Sequence, residues 1–441
     1  MLEELGIKDV EELYQDIPES LRFRGLLDLP ASLPSESALR RHMDELLAKN
    51  THCGQFLNFL GAGCYQHYVP SVCDEINGRS EFLTAYAGLP YEDHGRWQAI
   101  WEYTSMMGEL LNMDVVNVPT TDGCQAAATA ILMSARITGR KRVLVAGNTH
   151  PDKLSHMQCY CRQGTSIDIV PFDRRSGQID LNKLERLLSS EIAAVYFDNP
   201  SYFGAIESGK AIADLAHRHG ALCVTCVDPI SLGVLAPPAD YGADIVCGDL
   251  QTLGMHMQYG GGHGGFIATH DDERFVQEFP SRLYGIAPTR VEGEYGFGDV
   301  AFERTSLAQR ENGKEFVGTA AAIWGITAGV YLALMGPVGM KELGESILYR
   351  SRYAARELSK IPGVRAPLHE APFFKEFVVE FESDQTAQEI NQTLVRYGIF
   401  GGKALYREFP DMPHCALYCF TELHSKQDID RLAAVLREVL T

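Results

Sequence analysis

Apolar and polar positions follow two rhythms along most of this chain. Helix-period segments run from Gln98 to Leu111, Gly123 to Ile137, Leu181 to Leu188 and Gly209 to Arg218. Short β-rich apolar runs stand between and after them, at Arg142 to Ala146, Ile167 to Val170, Ala193 to Phe197, Leu222 to Val227, Ile245 to Cys247 and Gly265 to Ala268. Strands separated by helices of this length predict βαβ crossovers and a sheet covered on both faces. The fold class read from this pattern is α/β, with a large doubly wound, mostly parallel sheet.

The flanks read differently. Residues 1–57 predict a helical N-terminal arm, with helical spacing at Val10 to Gln15 and Ser37 to Lys49 and proline-rich breaks between them. Residues 58–335 form the large domain, and a long helical stretch from Phe316 to Leu358 leads out of it. Residues 336–441 then predict the rest of that linking helix and a small α+β domain. Its elements are strand-like Phe377 to Phe381, helix-like Ala387 to Tyr397, strand-like Ala416 to Phe420 and a closing helix from Lys426 to Leu440.

Composition narrows the class of partner. A net charge of −19 over 441 residues argues against nucleic acid or an anionic membrane as the main partner, since both need clustered Lys and Arg. Met1 to Asp9 brings acids at once, with no basic region ahead of an apolar core, so a cytoplasmic protein without a targeting peptide is expected. The longest apolar stretch, Val317 to Met335, is rich in Ala and Gly and reads as a buried helix rather than a membrane span. Cys223 and Cys226 have redox spacing but fall inside one strand, where residues three apart face opposite ways. They read as packing residues, and no metal site is predicted.

Four local motifs carry candidate chemistry. Asp122-Gly123-Cys124 opens an apolar helix, where free backbone N–H groups and the helix dipole favour a phosphate; an N-cap role for Asp122 is the common alternative. His150 follows one strand and could stack on a flat ring. Asp228 ends the strand Leu222 to Val227, at the edge where doubly wound sheets place ligands, and could pair with a pyridine nitrogen or merely start a loop before Pro229. Gly260 to Gly265 is a flexible loop that permits close approach of backbone. In this order they follow the layout of fold-type I pyridoxal-phosphate (PLP) enzymes, with one omission. The loop after Cys247 reads Gly248-Asp249-Leu250-Gln251-Thr252-Leu253-Gly254, and no lysine occurs between Lys210 and Lys314.

Longer stretches carry a resemblance. They include Asn58-Phe-Leu-Gly-Ala-Gly-Cys-Tyr-Gln-His-Tyr-Val-Pro70, Arg79-Ser-Glu-Phe-Leu-Thr-Ala-Tyr86, Asn199-Pro-Ser-Tyr-Phe-Gly204, Phe373-Phe-Lys-Glu-Phe377 and Tyr397-Gly-Ile-Phe-Gly-Gly402. With these the chain resembles subunit 1 (alpha) of the decarboxylating glycine dehydrogenases, the P-proteins of the glycine cleavage system. The resemblance implies a PLP-dependent transferase of fold type I with a small C-terminal α+β domain. It also implies a homologous lysine-bearing subunit 2 in an α2β2 assembly, PLP carried on that partner, and an aminomethyl group passed to the lipoyl arm of the H-protein. Gln251 then stands near the position of the absent lysine.

The residues that follow from it are Tyr86, Tyr91 and Glu92 for a site shared with the partner, and Gly123, Cys124, His150, Asn199, Asp228 and Arg310 for a pseudo-cofactor pocket. The alternative for the first three is interface packing, and for Arg310, whose planar fork could pair with a phosphate or carboxylate, it is a structural salt bridge. Two segments depart from the family pattern: Tyr86-Ala-Gly-Leu-Pro-Tyr-Glu-Asp-His-Gly95, which is shorter and lacks a Ser-Gln pair, and Arg310-Glu-Asn-Gly-Lys-Glu-Phe316. Another small amino acid as substrate, a non-catalytic scaffold or regulatory subunit, and a self-sufficient enzyme using Lys314 or Lys403 are the competing readings.

Overall fold

The computed structural model describes residues 1–83, 94–315 and 321–440. By its internal contacts the chain divides into Met1–His52 and Cys53–Thr441. The first unit holds short helical turns and one longer helix, α1 (Glu36–Leu47), started by the Ser35 side chain, which accepts from the Ala38 N–H. Val10–Tyr14 is a 3-10 turn instead of the α-helix its spacing predicts. Five residues and no following apolar face give it no reason to propagate.

In the second unit α2 (Ser71–Asn77) and α3 (His94–Leu111) precede the sheet. The sheet is made of β1 (Val115–Val116), β2 (Arg142–Ala146), β3 (Ser166–Val170), β4 (Ile192–Asn199), β5 (Leu222–Val227), β6 (Ile245–Asp249) and β7 (Gly265–Thr269). Their order is β1-β7-β6-β5-β4-β2-β3. Strands β3, β2, β4, β5 and β6 run parallel, β7 lies antiparallel to β6, and the short β1 pairs antiparallel with β7 at the edge. The crossovers are α4 (Gly123–Thr138), α5 (Pro151–Cys161), α6 (Leu181–Leu187) and α7 (Gly209–Arg218).

Alternation within the strands explains why both faces are covered. Val143 and Val145 of β2 enter the core that holds Ala130 and Ile131 of α4, while Leu144 and Ala146 enter the opposite core with Ile212 and Ala216 of α7. Cys223 and Cys226 of β5 divide between the same two faces. Every residue of β4 is buried, as a central parallel strand requires.

The long helix α8 (Ala322–Leu358) is interrupted at Gly336, whose φ is 58°, just before Pro337. It is long and apolar enough to cross a membrane by length and composition. In the fold Tyr331 and Leu332 are buried in one core with Tyr103 and Leu253. Beyond it come β8 (Val364–Arg365), β9 (Glu376–Phe381), α9 (Ala387–Arg396), β10 (Lys403–Ala404), β11 (Cys415–Cys419) and α10 (Lys426–Leu440). These strands form an antiparallel sheet in the order β8-β9-β11-β10, backed by α9 and α10. Gly204 lets this sheet approach the end of β4: its φ is 84°, and a Cβ there would stand 1.9 Å from the Glu376 carbonyl oxygen.

Candidate functional site

The carboxyl ends of β5 and β6, the N-termini of α4 and α5, and the segment from Ala62 to Tyr65 enclose a cavity of about 340 Å³. It sits where parallel strands of a doubly wound sheet present their ends to a ligand. Four residues proposed for the pocket line it: Gly123, Cys124, His150 and Asp228. Asn199 and Arg310 are not among its lining residues. The Asn199 side-chain oxygen accepts the Glu207 N–H at 3.1 Å, behind the strand end, and Arg310 is exposed on a short 3-10 turn. Tyr86, Tyr91 and Glu92 lie outside the described residues.

At one end of the cavity Asp228 caps β5. One of its oxygens accepts from the Ile230 N–H at 3.2 Å and from the Thr252 hydroxyl at 3.3 Å. The other lies 2.7 Å from Nζ of Lys375, which arrives from the start of the small sheet. Burial alone would raise the Asp228 carboxyl, but the Lys375 ammonium holds it below the usual carboxylate range. That ammonium also stands 3.3 Å from the Tyr65 ring centroid and 3.3 Å from Nε2 of His67. Tyr65 donates its hydroxyl to Glu376, and the Glu376 carboxylate accepts the Ala62 N–H at 2.7 Å. His67 Nδ1 in turn meets Glu422 at 2.8 Å. A buried network thus joins the large sheet, the Ala62 to Tyr68 segment and the small domain.

At the other end Asp122 does what an N-cap does, accepting the Gln125 N–H at 2.7 Å. The Gly123 N–H, which the sequence offers to a phosphate, is taken by Asp249 Oδ2 at 2.7 Å. The approach depends on the glycine, because a Cβ at 123 would lie 2.9 Å from the Asp249 Cβ. The other Asp249 oxygen accepts the Gln251 N–H at 2.9 Å and faces His263 Nδ1 at 3.0 Å. Burial opposes a charge on His263, but Asp249 and the neighbouring Cys64 raise the ring to about 10 and keep it protonated.

Gln251 occupies the floor between these ends. Its side chain accepts the Tyr65 N–H at 2.9 Å and donates to the carbonyls of Tyr65 and Met255 at 2.9 and 3.1 Å. His150 accepts the Asp152 N–H on Nδ1 and donates from Nε2 to the Ala62 carbonyl at 2.7 Å, which fixes a neutral tautomer. Its ring meets Tyr202 edge-on at 4.9 Å.

The pocket does contain lysine, though not where a loop-by-loop reading looks for it. Lys153 of α5 pairs with buried Asp198 at 3.1 Å and stands 3.1 Å from Sγ of Cys226. Cys226 therefore lines the cavity as well as packing under it, which corrects its assignment as a packing residue alone. Lys314 and Lys403, the lysines of the self-sufficient reading, are elsewhere: Lys314 pairs with Glu278 and Lys403 with Glu408. Tyr65, Lys375 and Glu376 lie in the quoted stretches Asn58 to Pro70 and Phe373 to Phe377. Their function stays hidden in sequence because the partner Asp228 is far away along the chain.

The P-protein family description, glycine cleavage system P-protein, matches residues 1–436. The chain belongs to that family. A probable glycine dehydrogenase (decarboxylating) subunit 1 of Carboxydothermus hydrogenoformans is 39% identical over 439 residues, covering 99% of this chain and 96% of that protein. Its counterpart in Staphylothermus marinus is 36% identical, over 100% of this chain and 95% of the relative. A crystal structure of glycine decarboxylase (P-protein) in inhibitor-bound form superposes with a TM-score of 0.88 at 34% identity, covering 100% of this chain and 97% of that one. A sphingosine-1-phosphate lyase of Burkholderia pseudomallei shares the fold alone, with a TM-score of 0.68 at 15% identity over 96% and 94% of the two chains. The fold is that of PLP enzymes of type I, and the family is PLP-dependent.

This chain's own pocket does not fit PLP. Where a phosphate would meet the start of α4, the Asp249 carboxylate already holds the Gly123 N–H. Where a pyridinium would meet Asp228, the Lys375 ammonium already does.

Proposed function

We propose that this chain is the lysine-less subunit of a PLP-dependent glycine decarboxylase, inactive alone and completed by a homologous subunit 2. PLP, which supplies an electron sink for decarboxylation, is carried on a lysine of that partner. Glycine loses its carboxyl group as CO2, and the aminomethyl group passes to the lipoyl arm of the H-protein, whose disulfide is reduced as the new C–S bond forms. The present chain contributes Tyr86, Tyr91 and Glu92 to the shared site, in a cytoplasmic α2β2 assembly. The observation that supports this best is full-length kinship to proteins named as subunit 1 of glycine dehydrogenase, together with Gln251 in the loop after β6.

The test is glycine–bicarbonate exchange in the presence of lipoylated H-protein. The isolated chain is expected to give no exchange, and co-expression with its homologous subunit to restore it. Tyr86→Phe and Tyr91→Phe in that complex should each lower the rate by about tenfold or more, the scale of a lost proton-handling or positioning group. Full turnover in both variants would assign this chain a scaffold role. Exchange with another small amino acid but not with glycine would overturn the substrate.

A further inference from the structure

We propose that Asp249 and Lys375 are built-in replacements for the two charged ends of a phosphorylated pyridine cofactor, and that Asp249 is the residue that closes this pocket to phosphate. The inference extends the reading that the cofactor belongs to the partner, and it stands on this chain's own geometry.

The start of α4 presents a backbone N–H and the positive end of a 16-residue helix toward the cavity. An anion is the natural ligand of such a place. The fold supplies one internally: the Asp249 carboxylate sits 2.7 Å from the Gly123 nitrogen, in the volume a phosphate oxygen would need. His263, 3.0 Å behind it, adds the cation that would otherwise steady a dianion. The Asp228 end repeats this logic with the sign reversed. Lys375, its side chain only 4% exposed, delivers an ammonium 2.7 Å from the carboxylate that would otherwise seek a pyridinium. Each end is neutralised without a ligand, so an incoming phosphate meets a like charge and an already used donor.

The two replacements differ in how they can be undone. Lys375 is tied into a buried network with Tyr65 and His67, whereas Asp249 is anchored through its own neighbours Gln251 and His263. Removing the Asp249 carboxylate leaves the Gly123 N–H, the helix dipole and the His263 ring facing one empty volume, and a bound phosphate would take over the part of Asp249 in keeping that ring charged. That is an anion site.

The experiment titrates inorganic phosphate into the isolated full-length chain, as wild type, Asp249→Ser and Asp249→Asn, by calorimetry and by the thermal midpoint, with circular dichroism to confirm folding. Wild type should bind no phosphate and show no shift. Asp249→Ser should gain affinity by about tenfold or more and be stabilised by phosphate. Asp249→Asn, which removes the charge but keeps the shape, should gain less, and it carries the test should the serine variant not fold. Phosphate taken up equally by wild type and variants, or by no folded variant, would overturn the proposal. These titrations involve no partner and no amino acid, so they fail or succeed separately from the exchange assay.

Discussion

At the Asp228 end of the cavity the balancing charge comes from a strand more than a hundred residues further on, whereas at the Gly123 end it comes from the tip of the adjacent strand β6. Lys375 reaches Asp228 only because the small domain docks there, with Glu376 holding the Ala62 N–H and Tyr65 hydroxyl beside it. Asp249 needs no such docking, since β6 and α4 are neighbours in any case. The first arrangement is therefore a clamp between domains and the second a plug in a helix end. The same chemical event, a charge lost, should cost stability at one end and open a binding site at the other.

The largest expected effect is at the clamp. Lys375→Met leaves Asp228 buried without its cation and should lower unfolding stability by about 3–5 kcal/mol, measured by denaturant unfolding. Adding Asp228→Asn should recover much of that loss, because the uncompensated charge is then gone. A loss that the second substitution does not relieve would mean Lys375 acts through packing. Next in size, Gln251→Ala removes the partner of two Tyr65 backbone groups and the Met255 carbonyl and should cost about 1–3 kcal/mol. At the plug, Asp249→Asn weakens both the hold on the Gly123 N–H and the pairing with His263 and should cost about 1–3 kcal/mol.

Acid and alkali also separate the ends. Burial would raise the Glu422 carboxyl, but His67 and the Tyr68 N–H bring it down to about 2 from an ordinary 4.5. Its folded value is depressed, so its contribution is complete above pH 4.5 and is lost as pH falls toward 2. The His263 ring is raised, from an ordinary 6.5 to about 10, so its contribution is complete below pH 6.5 and is lost as pH rises toward 10. Glu422→Gln should flatten the acid limb of a stability–pH profile and His263→Gln the alkaline one. An exchange of these two outcomes would break the assignment of the ends.

Much of the scaffold was legible because strands of a parallel sheet announce themselves locally. Arg142–Ala146, Leu222–Val227 and Gly209–Arg218 fall where their patterns predict. Asp122, Gly123, His150 and Asp228 come together around one cavity because each follows or ends a strand of known direction. Asn199 fails the same logic: its side chain turns to the Glu207 backbone. Arg310 was tied to the pocket only through the family resemblance, and nothing local fixes its direction. What the sequence hid is pairing across distance. Lys375 enters the sequence reading only as a member of the Phe-Phe-Lys-Glu-Phe run, and nothing local marks it for burial, which follows from the docking of the small domain. Asp249 reads as an ordinary loop residue, and its function depends on the absence of a Cβ at Gly123.

The claim at the centre of this account is that the fold persists while its own charges exclude the cofactor. Equimolar pyridoxal phosphate added to the isolated chain, reduced with borohydride and followed by peptide mass spectrometry, tests it most directly. The expected result is no Schiff-base absorbance and no stoichiometric label on Lys153, which lines the cavity, or on Lys375, which meets Asp228 beside it. A stoichiometric pyridoxyl group on either lysine would contradict it.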